Sequence, residues 1–150
     1  AWTEEKNTHG FTNGTPWLTM PSRADEINLE KDKKSNKSIF GFYKKVLELR
    51  NSSNTIKYGT FKDLTLSDGC FVYERQLGQD KIIVAVNFEK QNTISLPDCI
   101  TKTKAEVLLC NYSTGNLNAE TFDNVFNPYE IRVYRVNLAI ANNFCERDDG

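Results

Sequence analysis

The apolar positions of the chain change their spacing twice. Over the first 35 residues they hold neither a period of 2 nor one of 3.6. Thr, Asn, Gly, Lys and Asp dominate there, Pro16 and Pro21 punctuate the run, and it reads as a long loop. From Ser38 the spacing turns helical: Ile39, Phe40, Tyr43, Val46, Leu47 and Leu49 fall close to an i, i+3, i+4, i+7 stripe, with Lys44, Lys45, Glu48 and Arg50 between them. Ser38 or Ser35 offers an N-cap oxygen, and Arg50 suits the C-terminal end before the polar cluster 51–55. After Thr55 the spacing shortens toward 2, and 56–61, 70–76, 81–88, 92–96, 105–111 and 129–137 read as strands. Ser67-Asp68-Gly69 and Leu77-Gly78-Gln79-Asp80 read as hairpin-like turns. The last strand, Tyr129-Glu130-Ile131-Arg132-Val133-Tyr134-Arg135-Val136, alternates polar and apolar residues, as a sheet with one wet face does.

The order is therefore loop, one helix, then an all-β antiparallel sandwich. The expected divisions are 1–55, 56–141 and a polar, frayed tail at 142–150. A lone helix ahead of a sandwich has no second layer, so its stripe calls for a neighbour. The chain opens Ala1-Trp2-Thr3 without an initiator Met or a leader, and is expected to be a piece of something longer. Its 19 basic and 20 acidic residues are interspersed, which excludes the blocked charge of a nucleic-acid or anionic-membrane surface. Its apolar runs fall far short of the roughly 20 residues of a membrane helix. Cys70, Cys99, Cys110 and Cys145 stand apart, without zinc-ligand spacing, leaving disulfides or buried thiols. The N-x-S/T sequons at Asn13, Asn36, Asn51 and Asn111 lie in polar stretches, and with the cysteines they point to a parent that is either secreted or extracellular and membrane-tethered.

His9-Gly10-Phe11-Thr12-Asn13-Gly14-Thr15-Pro16-Trp17-Leu18 is similar to the stretch after the last barrel strand of family 13 glycoside hydrolases of the α-glucosidase (maltase) type, with Trp2 as the tryptophan of the preceding Q-W-D element, and the segments that follow in order resemble the C-terminal end of the same family. Ser38 to Arg50 resembles the family's last barrel helix. Tyr58-Gly59-Thr60-Phe61, Phe71-Val72-Tyr73-Glu74-Arg75 and Ile82 to Phe88 resemble strands of its C-terminal β-domain. Leu108-Leu109-Cys110-Asn111-Tyr112 and Asn127-Pro128-Tyr129-Glu130 resemble later segments of the same domain. The sequence departs at Ala1, Thr3 and Thr8-His9, where the family has Gln, Asp and Asn-Ala.

The resemblance implies residues 1–55 as the loop after strand 8 and helix 8 of a (β/α)8 barrel, with the sandwich behind it as a buttress packed on that barrel. It implies hydrolysis of terminal α-1,4-linked glucose by an Asp nucleophile, an acid/base Glu and a stabilising Asp on strands outside this chain, with no cofactor. No catalytic residue is assigned within 1–150, and the α-glucoside is met through the barrel. Retaining cleavage needs two carboxyls about 5 to 5.5 Å apart. Glu74, Asp80, Glu89 and Asp98 read instead as solvated strand-end carboxylates, and His9 as a plain loop histidine. Trp2 is the candidate sugar contact, weighed against an anchoring role, and Trp17 is read as an anchor. Tyr73, Phe88, Tyr129 and Tyr134 read as sandwich core and edges. Glu48, Arg50, Arg75 and Arg132 read as surface charges. The alternative is a non-catalytic relative that works as a partner-binding scaffold, such as the heavy-chain ectodomain of an amino-acid transporter.

Overall fold

A computed structural model describes residues 1–101, 105–112 and 123–137, which fall into two compact units divided between Leu49 and Arg50. The division at Leu49/Arg50 falls inside a helix, ahead of the 55/56 boundary read from the sequence. The tail 142–150 and Cys145 lie outside the described residues.

The first unit is held by caps. Asn28 is the N-cap of α1 (Leu29–Lys34): its Oδ1 accepts from Lys31 N at 2.9 Å and its Nδ2 donates to Ala24 O at 3.0 Å. The first amides of α1, Leu29 and Glu30, donate to the carbonyls of Ala1 and Trp2 at 3.3 and 3.0 Å. This helix breaks the expected loop over 1–35. Its sequence, LEKDKK, has no apolar stripe, and its N-terminal amides are satisfied by residues distant in sequence. Asp32 of α1 then caps α2 (Ile39–Ser52), accepting from Ile39 N, Phe40 N and Ser38 Oγ at 2.9, 2.8 and 2.8 Å. The amides of Phe40 and Ile39, with the Ser38 hydroxyl, hold its carboxyl below the ordinary range. Ser38 is the N-cap of α2, its Oγ accepting from Gly41 N at 2.8 Å. No side chain of α2 is buried: Ile39, Phe40, Tyr43 and Leu47 of its stripe are all exposed.

The second unit is a five-stranded antiparallel sheet of β1 (Thr60–Asp63), β2 (Cys70–Leu77), β3 (Asp80–Asn87), β7 (Ile131–Asn137) and β5 (Glu106–Cys110), in that spatial order. A two-stranded ribbon pairs β4 (Asn92–Thr93) with β6 (Val125–Phe126). The sequence read a sandwich; the described residues form one full sheet and this short ribbon, whose Phe126 joins Ile94 and Ile100 in the core with Val72, Ile83, Ala85, Val107, Tyr134 and Val136 of the sheet. Strand β4 is shorter than the expected 92–96, and 98–101 forms a short helix, α4 (Asp98–Thr101). In β5 the register slips between Val107 and Leu109, so that Val107 and Cys110 both reach the core despite their odd spacing. Leu77 pairs with Asp80 across Gly78-Gln79, with Gly78 at φ 59°, as the first residue of a II′-type turn requires.

The expected strand at 56–61 is instead α3 (Asn54–Tyr58), capped by Ser53 Oγ accepting from Ile56 N at 3.2 Å, followed by β1. Between them a Cβ at Gly59 would stand 2.5 Å from Thr55 O and 2.8 Å from Gln76 O, so only glycine lets the helix end pack against β2. Asp80 is no solvated strand-end carboxylate: it accepts from Thr55 Oγ1 at 2.5 Å and from Arg135 Nε at 2.8 Å, tying α3 to β3 and β7. Glu74, likewise, lies 2.9 Å from Lys81, with both side chains largely enclosed.

The main departure concerns β7 and the turn before it. Glu130 and Arg132, expected on the wet face, are 1% and 3% exposed. Arg132 Nε donates to Glu130 Oε1 at 2.6 Å, while Nη1 and Nη2 donate to the carbonyls of Asp123 and Val125 at 2.6 and 2.7 Å, and its guanidinium stacks 4.0 Å from the centre of the Phe126 ring. Glu130 Oε2 accepts from both Asn127 N and Nδ2 at 2.8 Å. Asn87, wholly buried, donates to Lys90 O and Asn127 O at 2.7 and 2.8 Å. Thus Glu130 and Arg132 face the core because they find partners there, and Ile131 and Arg135 lie on the other face, half-buried and exposed.

Burial by itself would raise the Glu130 carboxyl, but the Arg132 guanidinium and the Asn127 donors hold it below its ordinary value. Asp80 behaves alike: burial pushes up, and the bonds from Thr55 and Arg135 outweigh it. Arg132→Met should cost about 3–5 kcal/mol in urea unfolding, because it strands a buried carboxylate. Adding Glu130→Leu should recover part of that loss, the Asp123 and Val125 carbonyls staying unpaired. Because both folded-state pKa values are depressed, the stability they contribute is complete above the unfolded values, near 4.5 for Glu130 and 3.8 for Asp80, and is lost as pH falls through the lower folded values. Urea midpoints should therefore drop from about pH 4.5 downward, and less steeply in Asp80→Asn.

Candidate functional site

The first unit carries the residue singled out for sugar contact, and its backbone is built around one carbonyl. Trp2 N and Thr3 N both donate to His9 O, at 2.9 and 3.1 Å, while His9 N donates to Glu5 O at 3.0 Å. With Asn7 at φ 70°, His9 at φ 47° and Gly10 at φ 73°, the chain doubles back so that residues 2–10 close on themselves. Asn and His are among the non-glycine residues that visit this left-handed region more readily. The main chain of Trp2 is thus gripped on both sides, by His9 O and by the Glu30 amide. Its indole stacks on Phe11 with ring centres 6.3 Å apart and stays half exposed.

His9 is not the plain loop histidine expected from the sequence. It is 6% exposed, and its Nε2 stands 3.8 Å from Asp25 Oδ1. His9 and Asp25 line a cavity of about 570 Å³ with Lys6, Asn7, Thr19 and Met20. A second cavity of about 390 Å³ is lined by Phe11, Thr12, Thr15, Trp17 and Leu18 among others. Trp17 is 92% exposed, so in this unit it anchors nothing. Aromatic faces beside threonine hydroxyls are equipped to bind a polyol, each ring covering C–H surface and each hydroxyl exchanging hydrogen bonds.

Of the other residues singled out, Glu74, Asp80 and Arg132 are held in structural pairs. Glu48 lies at the surface, 3.8 Å from Lys44, and Glu89 is exposed. Tyr134 is buried in the core, whereas Phe88 and Tyr129 are exposed. Among the described residues no group of three or more His, Cys, Asp or Glu gathers as metal ligands would. Cys70 is a buried free thiol. The sequon asparagines Asn13, Asn36, Asn51 and Asn111 are all exposed. Asn111 differs from the rest: its Nδ2 donates to Tyr129 O and its Oδ1 accepts from Ile131 N, both at 2.9 Å, so the carboxamide clamps the start of β7.

Residues 1–59 match the alpha-amylase family, catalytic domain. An oligo-1,6-glucosidase of Parageobacillus thermoglucosidasius is 38% identical over 141 residues, covering 91% of this chain and 24% of that protein. The chain belongs to glycoside hydrolase family 13. In the solved structures, the trehalose-6-phosphate hydrolase of Bacillus licheniformis superposes with a TM-score of 0.75 at 33% identity, over 91% of this chain and 25% of that one. The trehalulose synthase of Pseudomonas mesoacidophila gives 0.75 at 25% identity, over 91% and 24%. This family 13 chain thus spans about a quarter of the length of the curated relatives it matches.

Sequence reasoning missed the tie between the family's closing Glu130 and Arg132, and the closure on His9. The first had a signal, since Glu and Arg two apart on one strand share a face. The second had none, because it depends on φ values at Asn7 and His9 that composition does not specify. A Cβ at Gly10 would meet the Thr3 side chain at 3.0 Å in a left-handed conformation. Gly10→Ala should therefore destabilise this closure by about 1–2 kcal/mol. Hydrogen exchange should show it as lost protection of the Trp2 and Thr3 amides, with β2 and β3 unchanged.

Proposed function

We propose that this chain is the structural portion of a retaining α-glucosidase whose catalytic carboxylates are supplied by other parts of the protein. The observation that carries this reading is the 38% identity, sustained over 91% of the chain, to an oligo-1,6-glucosidase. On this reading the parent releases glucose from short α-linked oligosaccharides through a covalent glycosyl-enzyme, and the loop around Ala1 and Thr3 borders the pocket where the sugar sits. The sequence pointed to α-1,4 linkages and maltose, while the names of the relatives support α-1,6-linked substrates. Isomaltose against maltose turnover by the parent separates the two.

The chain's own part is mechanical. The unburied stripe of α2 and the half-covered sheet face bearing Phe71, Tyr73, Val84 and Ile131 are the surfaces that a barrel would cover. Trp2, with its main chain fixed twice and its ring steadied by Phe11, is the residue assigned to touch sugar. An extracellular parent remains a proposal resting on the exposed sequons, and glycopeptide mass spectrometry of native material tests it.

Expressed alone, the chain should release no glucose from maltose, isomaltose or a nitrophenyl α-glucoside above a buffer blank. Turnover that disappeared on mutating a residue within 1–150 would overturn this assignment. In the parent, Trp2→Ala should lower kcat/KM by roughly tenfold, about 1.4 kcal/mol of transition-state binding, without lowering the melting temperature. An unchanged kcat/KM removes Trp2 from the sugar site.

A further inference from the structure

The sequence holds one Asn-Gly pair, Asn13-Gly14. It lies outside any helix or strand with the Asn13 side chain exposed. A Cβ at Gly14 would meet nothing nearer than Thr12 Oγ1 at 3.9 Å, so the backbone has room to swing. The Gly14 N–H donates to Thr12 Oγ1 at 3.1 Å, an exposed and local bond that water can replace.

We propose that Asn13 is a site of spontaneous deamidation. The Gly14 amide nitrogen, having lost its proton to solvent base, attacks Asn13 Cγ. An N–C bond forms, closing a five-membered imide, and the Asn13 side-chain nitrogen leaves as ammonia after taking up a proton. Water then opens the ring at either carbonyl, giving aspartate or isoaspartate. No oxidant or reductant takes part. Glycine is what makes the step accessible, because it lacks the Cβ that would obstruct the approach and adopts the needed backbone angles at little cost.

The other sequon asparagines lack this combination. Asn36 precedes Lys37, Asn51 lies in α2, and Asn111 has both ends of its carboxamide engaged. The conversion places a carboxylate beside Thr12 and Thr15, which line the smaller cavity, and destroys the acceptor of the Asn13 sequon. A glycan on Asn13 Nδ2 and deamidation are therefore mutually exclusive fates of one nitrogen. The inference does not depend on the glucosidase reading.

The test is incubation of the purified chain in buffers of rising pH, with peptide mapping by mass spectrometry and isoaspartate-specific methyl labelling. Asn13 should convert roughly tenfold or more faster than Asn36 and Asn51, and faster at each higher pH. Gly14→Ala, whose added methyl has room, should slow conversion at Asn13 to the rate of those two. Retention of the Asn13 amide for as long as Asn36 and Asn51 keep theirs would overturn the proposal, as would conversion of Gly14→Ala at the wild-type rate.

Discussion

The β-unit depends on a charge pair placed where water cannot reach it. Glu130 and Arg132 cost solvation on burial, and their mutual attraction alone would not offset it. What makes the arrangement stable is that both groups find further partners, several of them on the main chain. Arg132 satisfies two carbonyls around β6, and Glu130 satisfies the amide of Asn127. The pair therefore acts as secondary structure for residues that have little of their own. The ribbon strand β6 is two residues long, and β4 has the same length. Such short strands cannot hold a second layer by ladder bonds, so its place against the sheet rests on Arg132, on the Phe126 ring beneath it, and on Asn87 binding the turn from the other side.

Much of this was legible in the residues. The helix α2 and strands β2, β3, β5 and β7 follow the apolar spacing to within a few residues, because their side chains either pack on one sheet face or form one stripe. The misreadings share a cause. Segment 56–61 is rich in β-branched and aromatic residues, yet Ser53 offers a cap and Gly59 a close approach that make its first half helical. LEKDKK carries no periodicity, and its helix is set by Asn28 and by carbonyls far away in sequence. Alternation along β7 was seen, but Glu130 and Arg132 were assigned to the wet face, because period alone does not tell whether a charge meets water or a partner.

The candidate site was less legible. Trp2 was singled out by its place in a family motif, but nothing in the composition pointed to His9 as the residue whose carbonyl arranges it. A histidine in left-handed conformation next to a glycine in the same conformation is a local backbone solution. It shows in the sequence only as a departure from the family's Asn-Ala.

Asp32 joins α1 to α2 through three short bonds that span the few residues between the helices. Because a single carboxylate receives the Ile39 and Phe40 amides together with the Ser38 hydroxyl, the length of that connection is fixed to the residue. An inserted or deleted amino acid at 35–37 would rotate α2 about its own axis by roughly 100° and turn its stripe away from whatever covers it. Natural length variation among relatives should accordingly gather in the stretch 11–20, where no comparable clamp measures the chain.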